Sequence, residues 1–382
     1  DSLVSAGNNP LGNSAWFESQ DNGVVYAGGV ALGYKGRIPE AFDLEIDSQA
    51  KGIADYAFSG NSDIASVTLP EGLINIGYRS FENCTGLTGI TIPDSVESIG
   101  SYAFDCCYDL EKIEMSDNIT HLGARPFCNT KWEENVKDGL VYIGKVLVGY
   151  KGEMPKKTTI KVKEGTTEIS DDAFNGYDNL AAIELPDSLV SIGNNAFNNC
   201  GHLASITIPD SVTKIGEYAF SECPQLASAT LSSSLTDIPS GAFNNCTSLS
   251  SIVIPESVKT IGSYAFYNTK ALKDVTLSDK LKDVYYDAFE YSYDKDDEVV
   301  ERTLIISEGS EKVNSIMVSP LRNTLVAVKL PSTLKTIGEE AFYDCDKLTA
   351  VKLPDTTETI GESAFYDCDG ITSVTQVSLF LR

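Results

Sequence analysis

The chain has 382 residues, 42% of them apolar and 22% charged, the composition of an ordinary folded protein and not of a disordered or membrane-embedded one. Lys plus Arg number 29 against 55 Asp plus Glu, a formal charge of −26, so the chain lacks the basic footprint that grips a phosphate backbone and nucleic acid is not an expected partner. The longest apolar run, Val24 to Tyr34, falls well short of the roughly 20 residues that cross a bilayer, so no membrane insertion is expected in this segment.

Taken in chain order, the N-terminal "DSLVSAGNNP" has neither a basic nor a hydrophobic leader segment, which fits a cytosolic protein or one whose signal has been removed. Leu11 then occupies the place that Phe127 holds 116 residues later, and residues 12–50 and 128–166 are matching enlarged units: Trp16 pairs with Trp132 and "GYKG" at 33–36 with "GYKG" at 149–152. Each includes a segment such as "VKDGLVYIGKVLVGYKG" (136–152), whose Asp-Gly pair and Gly-Lys turn between short apolar alternations predict a β-hairpin. A 23-residue step runs through Phe58, Phe81, Phe104 and Phe127, resumes from Phe174 to Phe289, and returns at Phe342 and Phe365. An acidic insertion, "YDKDDEVVER" at 293–302, interrupts it, and with Leu11 and Leu321 as degenerate anchors the units number about fourteen. Residues 376–382 break the pattern and read as a C-terminal cap or as the start of a further segment.

Each unit repeats one phrase, as in "IPDSVTKIGEYAFSEC" (208–223). A short strand such as "LASITIP" (203–209) alternates at period two, burying one face and opening the other. Val212, Ile215 and Phe220 add three more core residues, and Gly216 is read as a bend. A 23-residue unit cannot bury its apolar face alone, but stacked units bury a continuous column, so 1–382 is expected to form a single curved solenoid, mostly β with short turns. At about 4.8 Å per turn it would be roughly 65 Å long.

The strand L-x-x-I-x-I-P followed by D-S-V-x-x-I-G-x-x-A-F-x-x-C resembles the BspA-like, or Treponema-type, leucine-rich repeats, from Asp1 to about Thr375. The resemblance implies a right-handed leucine-rich-repeat solenoid with an irregular convex side, in a bacterial protein that is secreted or displayed on the cell surface. It further implies an adhesin-like role, binding an extracellular host or microbial protein or glycan, with a stalk that positions another domain as the alternative.

Residues with possible chemistry are absorbed by the repeat. Seven of the nine cysteines (Cys84, Cys107, Cys200, Cys223, Cys246, Cys345 and Cys368) stand three residues after an anchor and are expected as buried reduced thiols, with occasional bridges between neighbours such as Cys223 and Cys246 as the alternative. Cys106, beside Cys107, is expected as an exposed thiol. No metal-ligand spacing occurs, His121 and His202 fall at variable positions, and a thiol repeated in like settings offers no unique nucleophile, so no metal, no cofactor and no catalysis are expected.

A partner is therefore sought on the outward row of the strands, represented by Thr91, Glu114, Glu184, Thr207, Thr230, Thr276 and Lys352, where small and hydroxylated residues dominate. The second candidate is the aromatic patch of the enlarged units, Trp16, Tyr26, Trp132 and Tyr142, for which packing beneath the hairpins is the plainer reading. The chain is expected to act as a monomer.

Overall fold

The computed structural model describes residues 3–115, 117–290 and 300–376. Residues 293–299 of the expected acidic insertion and 377–382 of the expected cap lie outside them. The chain divides into two compact units, one of Asp1–Met154 with Gly165–Ala173 and one of Pro155–Glu164 with Phe174–Arg382.

In the first unit the strand Gly23–Ala27 pairs antiparallel with Val30–Lys35. From that hairpin a parallel ladder of two-residue strands continues through Gly52–Ile53, Asn75–Ile76, Ser98–Ile99 and His121–Leu122. A second set of longer strands pairs Phe42–Glu45 with Ile64–Thr68 and Gly89–Ile92 with Lys112–Met115. Gly139–Ile143 and Val146–Lys151 repeat the hairpin.

The second unit uses the same two ladders. Its longer strands include Ser205–Thr207, Ser228–Thr230 and Ser251–Val253 in register, and its short ladder includes Lys214–Ile215 on Ser191–Ile192. The longer strands are those read from the sequence. The short ladder was not, because one Ile next to one polar residue is too brief for a period-two pattern.

Between the ladders, each unit buries a column of phenylalanine rings. Phe58, Phe81, Phe104 and Phe127 stack at 5.2–5.3 Å between centroids in the first unit, and Phe174 to Phe289 stack at 5.0–5.5 Å in the second. Leu321 keeps an anchor's place, fully buried on a short 3-10 helix. Leu11 does not, being 37% exposed. Phe127 touches both Phe104 and, at 5.4 Å, Trp132; leucine is too short to make both contacts, and Trp16, which matches Trp132, is left 41% exposed.

Gly216 departs from its expected role as a bend. Its φ is not positive; instead, a Cβ there would lie 2.3 Å from the Asn194 backbone nitrogen, so the glycine permits close approach of the neighbouring turn. The positive φ values fall two residues before and two after the anchor, as at Tyr218 (55°) and Glu222 (56°) around Phe220. Asn, Asp and Gly hold many of these sites, as the left-handed region favours. Tyr56, Tyr102, Tyr218 and Tyr264 hold others, at a conformational cost of about 1–2 kcal/mol each.

Candidate functional site

The thiols form a structural ladder. All nine cysteines are free, and Cys84, Cys107, Cys200, Cys223 and Cys246 are fully buried. The Sγ atoms of these five donate to the anchor carbonyl of the preceding turn, for example Cys223 to Phe197 O at 3.2 Å. Where Ser or Thr takes the place, its hydroxyl turns to its own anchor instead. Ser14 bonds Leu11, Thr130 bonds Phe127 and Thr324 bonds Leu321, and Ser14 and Thr130 also cap the short helices Ala15–Ser19 and Lys131–Asn135. Cys106 is half-buried, not fully open, and shares the Asp105 carboxylate with the buried Cys128.

Burial pushes the Cys84 and Cys345 thiols up to about 12, and it raises Cys107, Cys200 and Cys246 as well. A raised folded pKa means that the protonated thiol is what the fold stabilises. That contribution is complete below the unfolded value near 9 and is lost as pH climbs toward 12. The melting temperature is therefore expected to hold from pH 7 to 8.5 and to fall steadily above pH 9. A flat profile to pH 11 would contradict the ladder's protonated state.

Neither histidine stands as a free base. His121 Nδ1 lies 3.1 Å from Glu168, a buried carboxylate that also accepts the Leu122 N–H, and His202 Nδ1 lies 3.2 Å from Asp178. Among the described residues no group of three or more His, Cys, Asp or Glu side chains is placed to hold a metal ion.

On the outward strand row Thr91, Glu114, Glu184, Thr207, Thr230 and Lys352 are exposed and Thr276 is half-buried. Thr91 donates to Glu114 at 3.4 Å across one pair of strands. The aromatic patch does not act as one surface. Trp132 packs against the first unit's core, Tyr26 is half-buried with its hydroxyl accepting the Asp47 N–H, Tyr142 is half-buried, and only Trp16 of the four is exposed.

Two further features lie beside the repeat's left-handed corners, where the sequence pattern reads Tyr56, Tyr102, Tyr218 and Tyr264 only as covers for the core edge. The first is a column of tyrosines. Tyr56 meets Tyr78 edge to face at 5.2 Å, Tyr78 meets Tyr102 at 6.4 Å, and the Arg79 guanidinium lies 5.3 Å from the Tyr78 ring centroid and 5.1 Å from that of Tyr102. Arg79 Nε donates to the Tyr78 hydroxyl and Nη1 to Glu82 at 2.6 Å, so the cation is held in place while its side chain stays 32% exposed.

The second is a cleft of about 300 Å³ at the Tyr56 end of the column, lined by Phe17, Tyr34 and Tyr56 with Asn8, Asn9 and Asp55. It opens where Leu11 stands in place of phenylalanine, and Leu11 forms part of its wall. Tyr56 and Tyr102 could be singled out from the sequence by their place before an anchor. Tyr78 and the cleft could not, since both depend on which turns become neighbours.

The pattern of the BspA type leucine rich repeat region matches the chain in six copies, over residues 40–145, 167–295 and 312–379, well over half of its length. No curated protein matches it. Among solved structures it is similar to a leucine-rich repeat protein from Bacteroides ovatus, at 23% identity over 93% of this chain and 84% of that one, with a TM-score of 0.39. It is also similar to a leucine rich cell surface protein from Faecalibacterium prausnitzii (23% identity, 95% and 97% covered, TM-score 0.31) and to a pneumococcal vaccine antigen (17% identity, 89% and 84% covered, TM-score 0.35).

Proposed function

We propose that this chain, which belongs to the BspA-type leucine-rich repeat family, is a non-enzymatic interaction module that works outside the cell or on its surface, binding an extracellular protein or glycan. Family membership supports the location. The observation that carries the binding role is the Tyr56–Tyr78–Tyr102 column with Arg79 between two of its rings. Tyrosine and arginine supply large contact area and directed hydrogen bonds, and they dominate the energetics of characterised interfaces. Threonine and serine, which fill much of the strand row, contribute little at most interfaces.

The column is also ordered in advance. Arg79 is fixed by Glu82 and the Tyr78 hydroxyl, so less side-chain entropy is lost when a partner docks. Six of the seven ladder thiols, by contrast, are sealed in the core, Cys368 departing from expectation as half-buried, and they spend their donors on backbone carbonyls, which supports a role in the fold and not in chemistry.

The test is solid-phase binding of the purified chain to coated extracellular-matrix proteins and immobilised glycans, beside an unrelated protein of similar negative charge. Saturable binding above that control is expected. Binding no greater than the control across the panel would favour a spacer that only positions another domain.

A further inference from the structure

We infer that the cleft beside Tyr56 is a binding site for one or two units of a neutral saccharide; this rests on the interaction-module reading and names the ligand class for one end of that surface. A cleft of about 300 Å³ is at the lower end of the roughly 300–1,000 Å³ typical of small-molecule sites, room for one or two rings and not for a folded segment.

Its chemistry is mixed in a particular way. Phe17, Tyr34 and Tyr56 stand in its wall, whose accessible lining is mostly polar, and Tyr34 is steadied by an edge contact with Phe42 at 5.5 Å. Asn8 and Asn9 contribute amides that both donate and accept, and neither side chain has a hydrogen-bond partner among the described residues. Asn9 lies over Gly12, where a Cβ would fall 1.7 Å from its Oδ1, so the glycine makes room for the amide in the wall. A pyranose answers this mostly polar lining with hydroxyls that give and take hydrogen bonds for the amides, and its C–H edges meet what little of the rings is open.

The same inventory argues against charged ligands. No Lys, Arg or His lines the cleft, while Asp55 does, and the chain carries a net charge of −26, so phosphate and acidic sugars are repelled. A cation would gain from Asp55 and the rings but would leave the amide N–H groups unmatched. Asp55 is moreover already engaged through Oδ1, which accepts the Tyr78 N–H at 2.8 Å.

The matching place in the second enlarged unit makes the cleft specific to the first. There Asn8, Asn9, Leu11 and Tyr56 are replaced by Ala124, Arg125, Phe127 and Asp172, and Phe127 is buried in the ring stack.

The experiment is saturation-transfer NMR with the full chain and a panel of glucose, galactose, mannose, N-acetylglucosamine, lactose, maltose and cellobiose, with tetramethylammonium and glucuronate as charged comparators. At least one neutral sugar is expected to receive saturation and to be displaced by excess unlabelled sugar. Tyr56→Asn is expected to weaken that binding at least tenfold; asparagine suits the φ of 59° and occupies the equivalent site at Asn195, so the melting temperature should stay close to that of the parent. Asn8→Ala, on the exposed rim, should weaken it without touching the fold. The inference is overturned if no neutral sugar binds, if only a charged comparator binds, or if both variants bind as the parent does. If the sugars fail while matrix proteins still bind, the cleft assignment falls alone and the module reading stands.

Discussion

Replacing Arg302 by methionine is expected to destabilise the second unit by about 3 kcal/mol, although methionine fills nearly the same length of core. Arg302 is fully buried at the first position of the strand Arg302–Ile306, where other units place a leucine. Its guanidinium donates to the carbonyls of Leu272, Phe289 and Thr269 at 3.2–3.4 Å and lies 6.0 Å from the Phe289 ring centroid. Phe289 is the last ring of its stack before the irregular unit, and no cysteine follows to cap its carbonyl as Cys223 caps that of Phe197.

The arginine thus supplies the donor that a thiol supplies elsewhere. Replacing a whole buried polar set by apolar groups can be harmless, but backbone carbonyls cannot be replaced, and each orphaned buried group costs about 1–3 kcal/mol. Arg302→Lys should fall between, since one ammonium group cannot span three carbonyls with the same geometry. Guanidinium unfolding followed by circular dichroism measures the effect, and a loss below about 1 kcal/mol for the methionine variant would show that the guanidinium is not needed there.

Phe220→Ala is expected to cost about 3–5 kcal/mol, the range for removing a buried aromatic ring. Phe220 sits between Phe197 at 5.2 Å and Phe243 at 5.4 Å, with planes within 7° of both, so truncation opens a void in the middle of a column whose neighbours cannot close up without shifting a whole turn. Stacked repeats draw stability from contacts with their neighbours, so the defect should weaken both interfaces of its turn. Phe220→Leu should cost far less, because Leu321 already serves as an anchor while fully buried. Equal losses for alanine and leucine would mean that ring stacking, not filled volume, sets the stability.

Much of this architecture is legible in the sequence because it is repeated. The 23-residue step exposes the anchors, the strand pattern gives its buried face, and seven cysteines at one offset announce a shared environment. What repetition cannot convey is the consequence of a single departure from it. Arg302 reads as an ordinary charged residue after an acidic stretch, yet it is sealed in the core, where its guanidinium donates to the Phe289 and Leu272 carbonyls and adds a second donor to the carbonyl of Thr269, which also accepts the Leu272 N–H. Tyr78 differs from its counterparts by one residue in an otherwise variable site, and its meaning depends on Tyr56 and Tyr102 standing one turn away on either side. Gly216 looks like a bend and is a point of close approach. The outward strand row, the easiest surface to find by periodicity, is the one with the least chemistry to offer.

The most direct test of the proposed function compares two double variants in the solid-phase assay. One is Tyr78→Ser with Arg79→Asn, which keeps a residue suited to the φ of 51° at position 79. The other is Thr207→Ala with Thr230→Ala on the strand row. Binding through the tyrosine column predicts at least a tenfold loss for the first pair and parent-like binding for the second, with both proteins melting near the parent temperature. Loss confined to the strand-row pair, with the column pair binding as the parent does, would contradict it.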